Sequence, residues 1–217
     1  MGTLGPMSFP SPRAYRILTE GFELRCYRPE DAEELQELSA RNKAHLSPFN
    51  SWALREPETV DEKLELIRKW RGWFDTGADF LYRVQRRGET EQVAGCGLHY
   101  RISGRGAEIG YWVDERETRQ GIATELAAAL TRFSLEVHEA SRVVIQVQVE
   151  NELSLRIPKR LGFHEDGVLR RSMEWPDEPN RDMVACSLLP EELEGSQAAS
   201  APYEAFDDLG RAIGVGE

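Results

Sequence analysis

The chain has 217 residues, of which 40% are hydrophobic and 30% charged, and its formal net charge is −11. That length allows one domain with a full core, and the acidity argues against a nucleic-acid partner. No apolar run approaches the ~20 residues that span a bilayer, so no membrane partner is expected.

Residues 1–15 open with a Gly/Pro/Ser-rich stretch that lacks the basic and apolar regions of a signal peptide. They read as a disordered leader to a domain over residues 16–190, in a cytoplasmic protein. Phe22-Glu23-Leu24-Arg25-Cys26-Tyr27 alternates apolar and polar side chains as a half-buried strand does. Pro29, Glu30 and Asp31 then start a helix, with acids facing the positive end of its dipole. A loop with His45, Phe49 and Trp52 leads to an amphipathic helix from Val60 to Trp73. Phe80 to Val84 and Gln92 to Tyr100 read as strands joined by a turn containing Gly88.

Ala107 to Val113 predicts another strand, Gly121 to about His138 a Leu/Ala-rich helix, and Arg142 to Val149 a β-branched strand. Leu153 to Arg160 predicts a short helix capped by Gly162, and Met183 to Leu188 a last strand. One long helix crossing between two strands of a strand-rich middle predicts an α+β fold with mixed strand directions. Residues 191–217 hold seven acidic residues and one basic one, which leaves the rest of the chain at about −5. They read as a flexible, solvated acidic tail, with Tyr203, Phe206, Leu209 and Ile213 on one side of a helix should it dock. Cys26, Cys96 and Cys186 are odd in number and lack ligand spacing, so they read as core residues, and no metal is implied.

The segment Arg119-Gln120-Gly121-Ile122-Ala123-Thr124 joins a strand to a helix start. Unsatisfied amides and a favourable dipole make a helix start a site for pyrophosphate. Gly121 and Ala123 keep side chains clear of an approaching phosphate, and Arg116 and Arg119 add positive charge. A tight turn with no ligand explains the glycine equally well.

The wider pattern resembles the GNAT N-acetyltransferase superfamily. Its cofactor signature, Gln/Arg-x-x-Gly-x-Gly/Ala, aligns with Thr118-Arg119-Gln120-Gly121-Ile122-Ala123, with Thr118 in the first position as a departure. Ala107-Glu108-Ile109-Gly110-Tyr111-Trp112 and the downstream Asn151-x-x-Ser154 and Leu161-Gly162-Phe163 resemble the RimJ/RimL branch, which acetylates ribosomal-protein N-termini. The resemblance runs from about Phe22 to Leu189. It implies a GNAT fold, a mixed and mostly antiparallel sheet splayed at the cofactor cleft, with helices on both faces. It also implies acetyl-CoA as acyl donor, a primary amine as acceptor, and the homodimer often found in this branch.

The same resemblance implies roles for single residues. Main-chain N–H groups near Trp112 and Val113 polarise the thioester carbonyl, and Gln120, Gly121, Ile122, Ala123 and Thr124 hold the cofactor with Arg119. Glu108 stands where some members carry the general base; a carboxylate bonded to neighbouring loops is the other reading of it. Ser154 is the proton donor to the thiolate and Asn151 a partner of the pantetheine arm, although Asn151 after a strand also caps a helix. Pro158 occupies the position of the tyrosine acid of many members. From the residues themselves, His45 is an alternative base; Glu174 and Asp177 are candidates for holding a cationic amine or simply solvated loop acids; and the aromatic loop of His45, Phe49 and Trp52 walls the acceptor site or packs into the core. His138 and His164 have no partners in the sequence that suggest chemistry. A protein N-terminal amine is the expected acceptor; a small drug or metabolite amine, or a non-catalytic acyl-CoA-binding module, are the competing readings.

Overall fold

The computed structural model describes residues 12–102 and 105–216. Within these residues ten strands form one sheet: β1 (Arg16–Leu18), β2 (Phe22–Cys26), β3 (Asp79–Arg86), β4 (Gln92–Ile102), β5 (Gly106–Val113), β6 (Arg142–Gln148), β7 (His164–Met173), β8 (Arg181–Leu188), β9 (Tyr203–Phe206) and β10 (Ala212–Gly216). Their order across the sheet is β10-β9-β1-β2-β3-β4-β5-β6-β8-β7. All neighbours are antiparallel except β5 and β6, whose parallel pairing requires a crossover, supplied by helix α4 (Ile122–Glu136). That pairing lasts three rungs, Gly106↔Arg142 to Glu108↔Val144. Beyond Glu108 the two strands part, while β6 keeps pairing with β8 as far as Gln148↔Met183.

Helices α1 (Ala32–Arg41) and α3 (Val60–Thr76) cover one face, where Leu35, Ile67 and Trp70 pack with Tyr27, Leu81 and Trp112. Helix α3 starts at a reciprocal cap: Thr59 Oγ1 accepts from the Glu62 N–H, and the Glu62 carboxylate accepts from the Thr59 N–H. It ends at Gly77, whose φ of 78° suits a residue without a Cβ. The short α2 (Lys43–Leu46) follows α1. On the opposite face α4 packs Leu126, Leu130 and Phe133 with Leu98, Ile109 and Ile145. Each such side chain contributes on the order of 2 kcal/mol by leaving water. Helix α5 (Glu152–Leu161) ends at Gly162, which has a φ of 89° and serves as its C-cap, as the sequence predicts.

The chain after Pro190 corrects the expectation of a free tail. Strand β9 pairs with β1 through Arg16↔Phe206 and Ile17↔Ala205, and β10 pairs with β9. Ala198, Tyr203 and Ala205 are buried; Tyr203 donates to Glu136, and the Ala201 carbonyl accepts from Arg132 at 2.8 Å, both on α4. The expected helix through Tyr203 and Phe206 is therefore a hairpin. Helix α4 carries apolar residues nearly all round its axis, and one sheet face cannot cover them; this segment covers the rest.

The expected leader lies mostly outside the described residues, but its last part is packed. Ala14 is buried and its carbonyl accepts from the Tyr82 hydroxyl at 3.0 Å. Strand β7 escaped the sequence reading because it is an edge strand, polar and exposed along almost its whole length. Cys26, Cys96 and Cys186 are buried and form no disulfide with one another, as expected of core residues. Burial pushes Cys26 up to about 12 and Cys186 up to about 11, so neither is a thiolate at neutral pH.

Candidate active site

The turn after β5 is fixed at its base by Asp114, which is buried. Burial alone would raise this carboxyl; hydrogen bonds from Arg41, at 2.6 Å, from Asn42 and from the Arg116 N–H outweigh it and lower its pKa. Asn42 also accepts from the Glu115 N–H at 2.8 Å. Arg119 and Gly121 then take left-handed conformations, with φ of 63° and 85°. Two such residues within three swing the chain so that α4 begins with no side chain capping its first amides. A Cβ on Gly121 would meet no atom of the described residues within 4 Å, so the space beside it is open. Glu125 anchors the helix behind them, accepting from the Gly21 N–H at 2.7 Å.

A groove of about 410 Å³ runs from this turn to α5. Arg119, Gly121, Ile122, Ala123 and Thr124 line it on one side and Asn151, Ser154, Arg156 and Arg160 on the other. An anion here meets main-chain donors, a helix dipole and three guanidinium groups. The residues therefore fit the pyrophosphate of a coenzyme A.

The groove continues into the gap where β5 and β6 part, a polar cleft of about 390 Å³. Past Glu108, the edge of β5 facing β6 has no strand partner among the described residues, so main-chain N–H groups between Gly110 and Val113 face the cleft. Glu108 stands at the last paired rung and lines the cleft with Gln146 and Gln148. On the far wall Asn151 accepts from the Ser154 N–H at 3.2 Å and so caps α5. The Ser154 hydroxyl lies 3.1 Å from the Tyr111 hydroxyl. Burial pushes the Tyr111 phenol up to about 12, against the opposing pull of the Ser154 hydrogen bond, so Tyr111 stays protonated at neutral pH.

A third cavity, about 340 Å³, opens on the other side of Gly110 and shares Asn50 and Tyr111 with the first two. Its walls are Tyr27, Leu35, Trp52, Trp70, Leu81 and Trp112. Trp52 and Trp112 meet at 5.9 Å between ring centroids, and Tyr27 and Trp70 at 5.0 Å. His99 lies in this cavity with Nδ1 at 2.6 Å from the buried Asp79 carboxylate.

Of the residues singled out from the sequence, Arg119, Gly121, Ile122, Ala123, Thr124, Asn151, Trp112 and Val113 meet in the groove, and Glu108 and Ser154 in the cleft. The Gln120 side chain is turned away: it accepts from Arg86 at 2.6 Å and donates to Glu117. Only its main chain belongs to the turn, and Arg116 does not line the groove. His45 lies at the groove, not beside Glu108. Glu174 and Asp177 are exposed and line none of these cavities. Burial pushes His138 down to about 4, and it bonds Tyr100 and the Pro12 carbonyl as a neutral core residue. His164 is exposed on β7.

The sequence reading missed Tyr111, the Asp79–His99 pair and the α5 arginines. Arg156 and Arg160 did carry a signal, a spacing of four that puts both on one helix face. Tyr111 meets Ser154 only because β5 and α5 fold together. It brings a phenol to this wall although Pro158 stands where a tyrosine was sought.

Residues 22–164 match the family model described as the acetyltransferase (GNAT) domain. A Bacillus subtilis protein, YdaF, provisionally named a ribosomal N-acetyltransferase, is 32% identical over 83% of this chain and 97% of its own length. The ribosomal-protein-serine acetyltransferase of Escherichia coli is 26% identical over 71% of this chain and 86% of its own. Among solved structures, Mycobacterium smegmatis RimJ in complex with a CoA-disulfide superposes with a TM-score of 0.74 at 26% identity, covering 85% of this chain and 90% of that one.

Proposed function

Because the chain belongs to the GNAT acetyltransferase family and draws its acyl group from acetyl-CoA, we propose that its acceptor is a protein N-terminal α-amine. The names of the relatives support the acceptor class, since two of them refer to ribosomal proteins. The observation that carries the chemistry is the gap beyond Glu108, with a carboxylate at its apex and a hydroxyl pair on its far wall. A homodimer and a cytoplasmic location belong to the same proposal.

The amine arrives largely as an ammonium ion, since free α-amino groups titrate near 7.7–8.0. Two protons must leave the nitrogen: one frees its lone pair, and the other departs as the C–N bond forms and the C–S bond breaks. One proton ends on the coenzyme A sulfur and the other goes to water. Glu108 takes the proton lost during bond formation. The free N–H groups of β5 hold the carbonyl oxygen as charge builds on it. Ser154, backed by the protonated Tyr111, donates to the departing sulfur, and the proton held by Glu108 returns through water to restore the hydroxyl pair.

The test is a panel of amines incubated with acetyl-CoA, comparing ribosomal-protein N-terminal peptides with polyamines and aminoglycosides. Acetylated peptide α-amines are the expected result. Turnover of small amines alone overturns the acceptor class, and tight acetyl-CoA binding without turnover on any amine overturns the enzyme reading.

A further inference from the structure

The mechanism above leaves one proton unassigned, the one that must leave the incoming ammonium before attack. We propose that His99, held by Asp79, removes that proton from the acceptor in the aromatic cavity. Asp79, His99 and Glu108 stand on one row of the sheet, since Asp79↔His99 and His99↔Glu108 are register partners across β3, β4 and β5. Asp79 is buried and accepts from His99 Nδ1 at 2.6 Å. The proton on Nδ1 leaves Nε2 as the lone-pair atom, and Nε2 has no hydrogen bond among the described residues.

The ring does not stand upright on its strand. It leans over Gly97 and Gly110, where a Cβ would come within 2.9 Å and 3.3 Å of Nε2. Two residues without side chains on facing strands thus give the imidazole a bare floor, two rungs nearer the phosphate turn than Glu108. Gly110 borders both the cleft and the aromatic cavity, so Nε2 sits where an amine entering from the cavity would meet the thioester. Wall and base suit an acceptor that brings an apolar first residue with its ammonium.

In the step, R–NH3+ passes one proton to Nε2, which gives R–NH2 and an imidazolium paired with the Asp79 carboxylate. After product leaves, the imidazolium returns its proton to water. The charged groups around His99 are Asp79 on β3, Arg101 on β4, which also donates to Asp79, and Glu108 on β5. From the covering elements Arg55, Glu58 and Lys63 line the same cavity, the last two paired at 2.8 Å.

This step rests on the reading of the site as an amine acetyltransferase. The test is kcat/KM for the acceptor at about pH 6.5 and about pH 9, in wild type, His99→Gln and Asp79→Asn, on whichever amine wild type accepts. At the higher pH the amine arrives neutral, so both variants should come within a few-fold of wild type. At the lower pH only about one α-amine in twenty is neutral. Each variant should there lose about 20-fold relative to its own value at pH 9, with wild type losing under about 5-fold. Acetyl-CoA affinity should not change. An equal deficit at both pH values means a structural role and overturns the proposal. Should the variants misfold, wild type alone decides: its acid limb keeps its position when the acceptor is exchanged for one of about one unit higher amine pKa. A limb that moves with the amine overturns the proposal. Wild type inactive on every amine instead overturns the reading beneath it.

Discussion

The two sides of β5 hold their ligands by different means. Toward α4 and α5 the site is a groove of main-chain amides and arginines, placed by a turn and two helix caps within residues 114–162. Toward α1 and α3 it is an aromatic cavity whose groups, Trp52, Trp70, His99 and Trp112, with Asp79 bonded to His99, come from separate elements between residues 52 and 112. The first side offers backbone and diffuse charge, which suits an anion common to many enzymes. The second offers shape and one fixed imidazole, which suits a particular acceptor. A change on one side should therefore leave the other side's readout in place.

The largest expected effect comes from Gly121→Glu. It forces a Cβ onto a φ of 85° and puts a carboxylate where phosphate meets the helix dipole. Acetyl-CoA affinity by calorimetry should fall more than about 100-fold, equivalent to about 3 kcal/mol. Retained affinity would mean that the turn is only a turn. Ser154→Ala should act next most strongly, at the junction of the two sides. It should lower kcat by about 10- to 1000-fold and weaken acetyl-CoA binding far less. An unchanged kcat would remove Ser154 from the mechanism and leave Tyr111 as donor.

The same division explains what could be read before folding. Gly121, the Asn151 cap and the Gly162 stop are local: each residue type is required by the conformation of its neighbours, so the sequence displays it directly. The Asp79–His99–Glu108 row exists only through strand register, with the first two 20 positions apart, and no spacing rule announces it. Ser154 was found by its position in a motif, but its partner Tyr111 looked like one more strand residue. The C-terminal hairpin was hidden by composition. Its acidic residues dominate the count, whereas the burial that fixes it rests on Ala198, Tyr203 and Ala205.

Amide hydrogen exchange with and without coenzyme A tests the division of the site most directly. The account predicts slowed exchange at Gly121 to Thr124 and around Ser154, with little change at Gly95 to His99. Protection over Gly95 to His99 with none at the turn would contradict it.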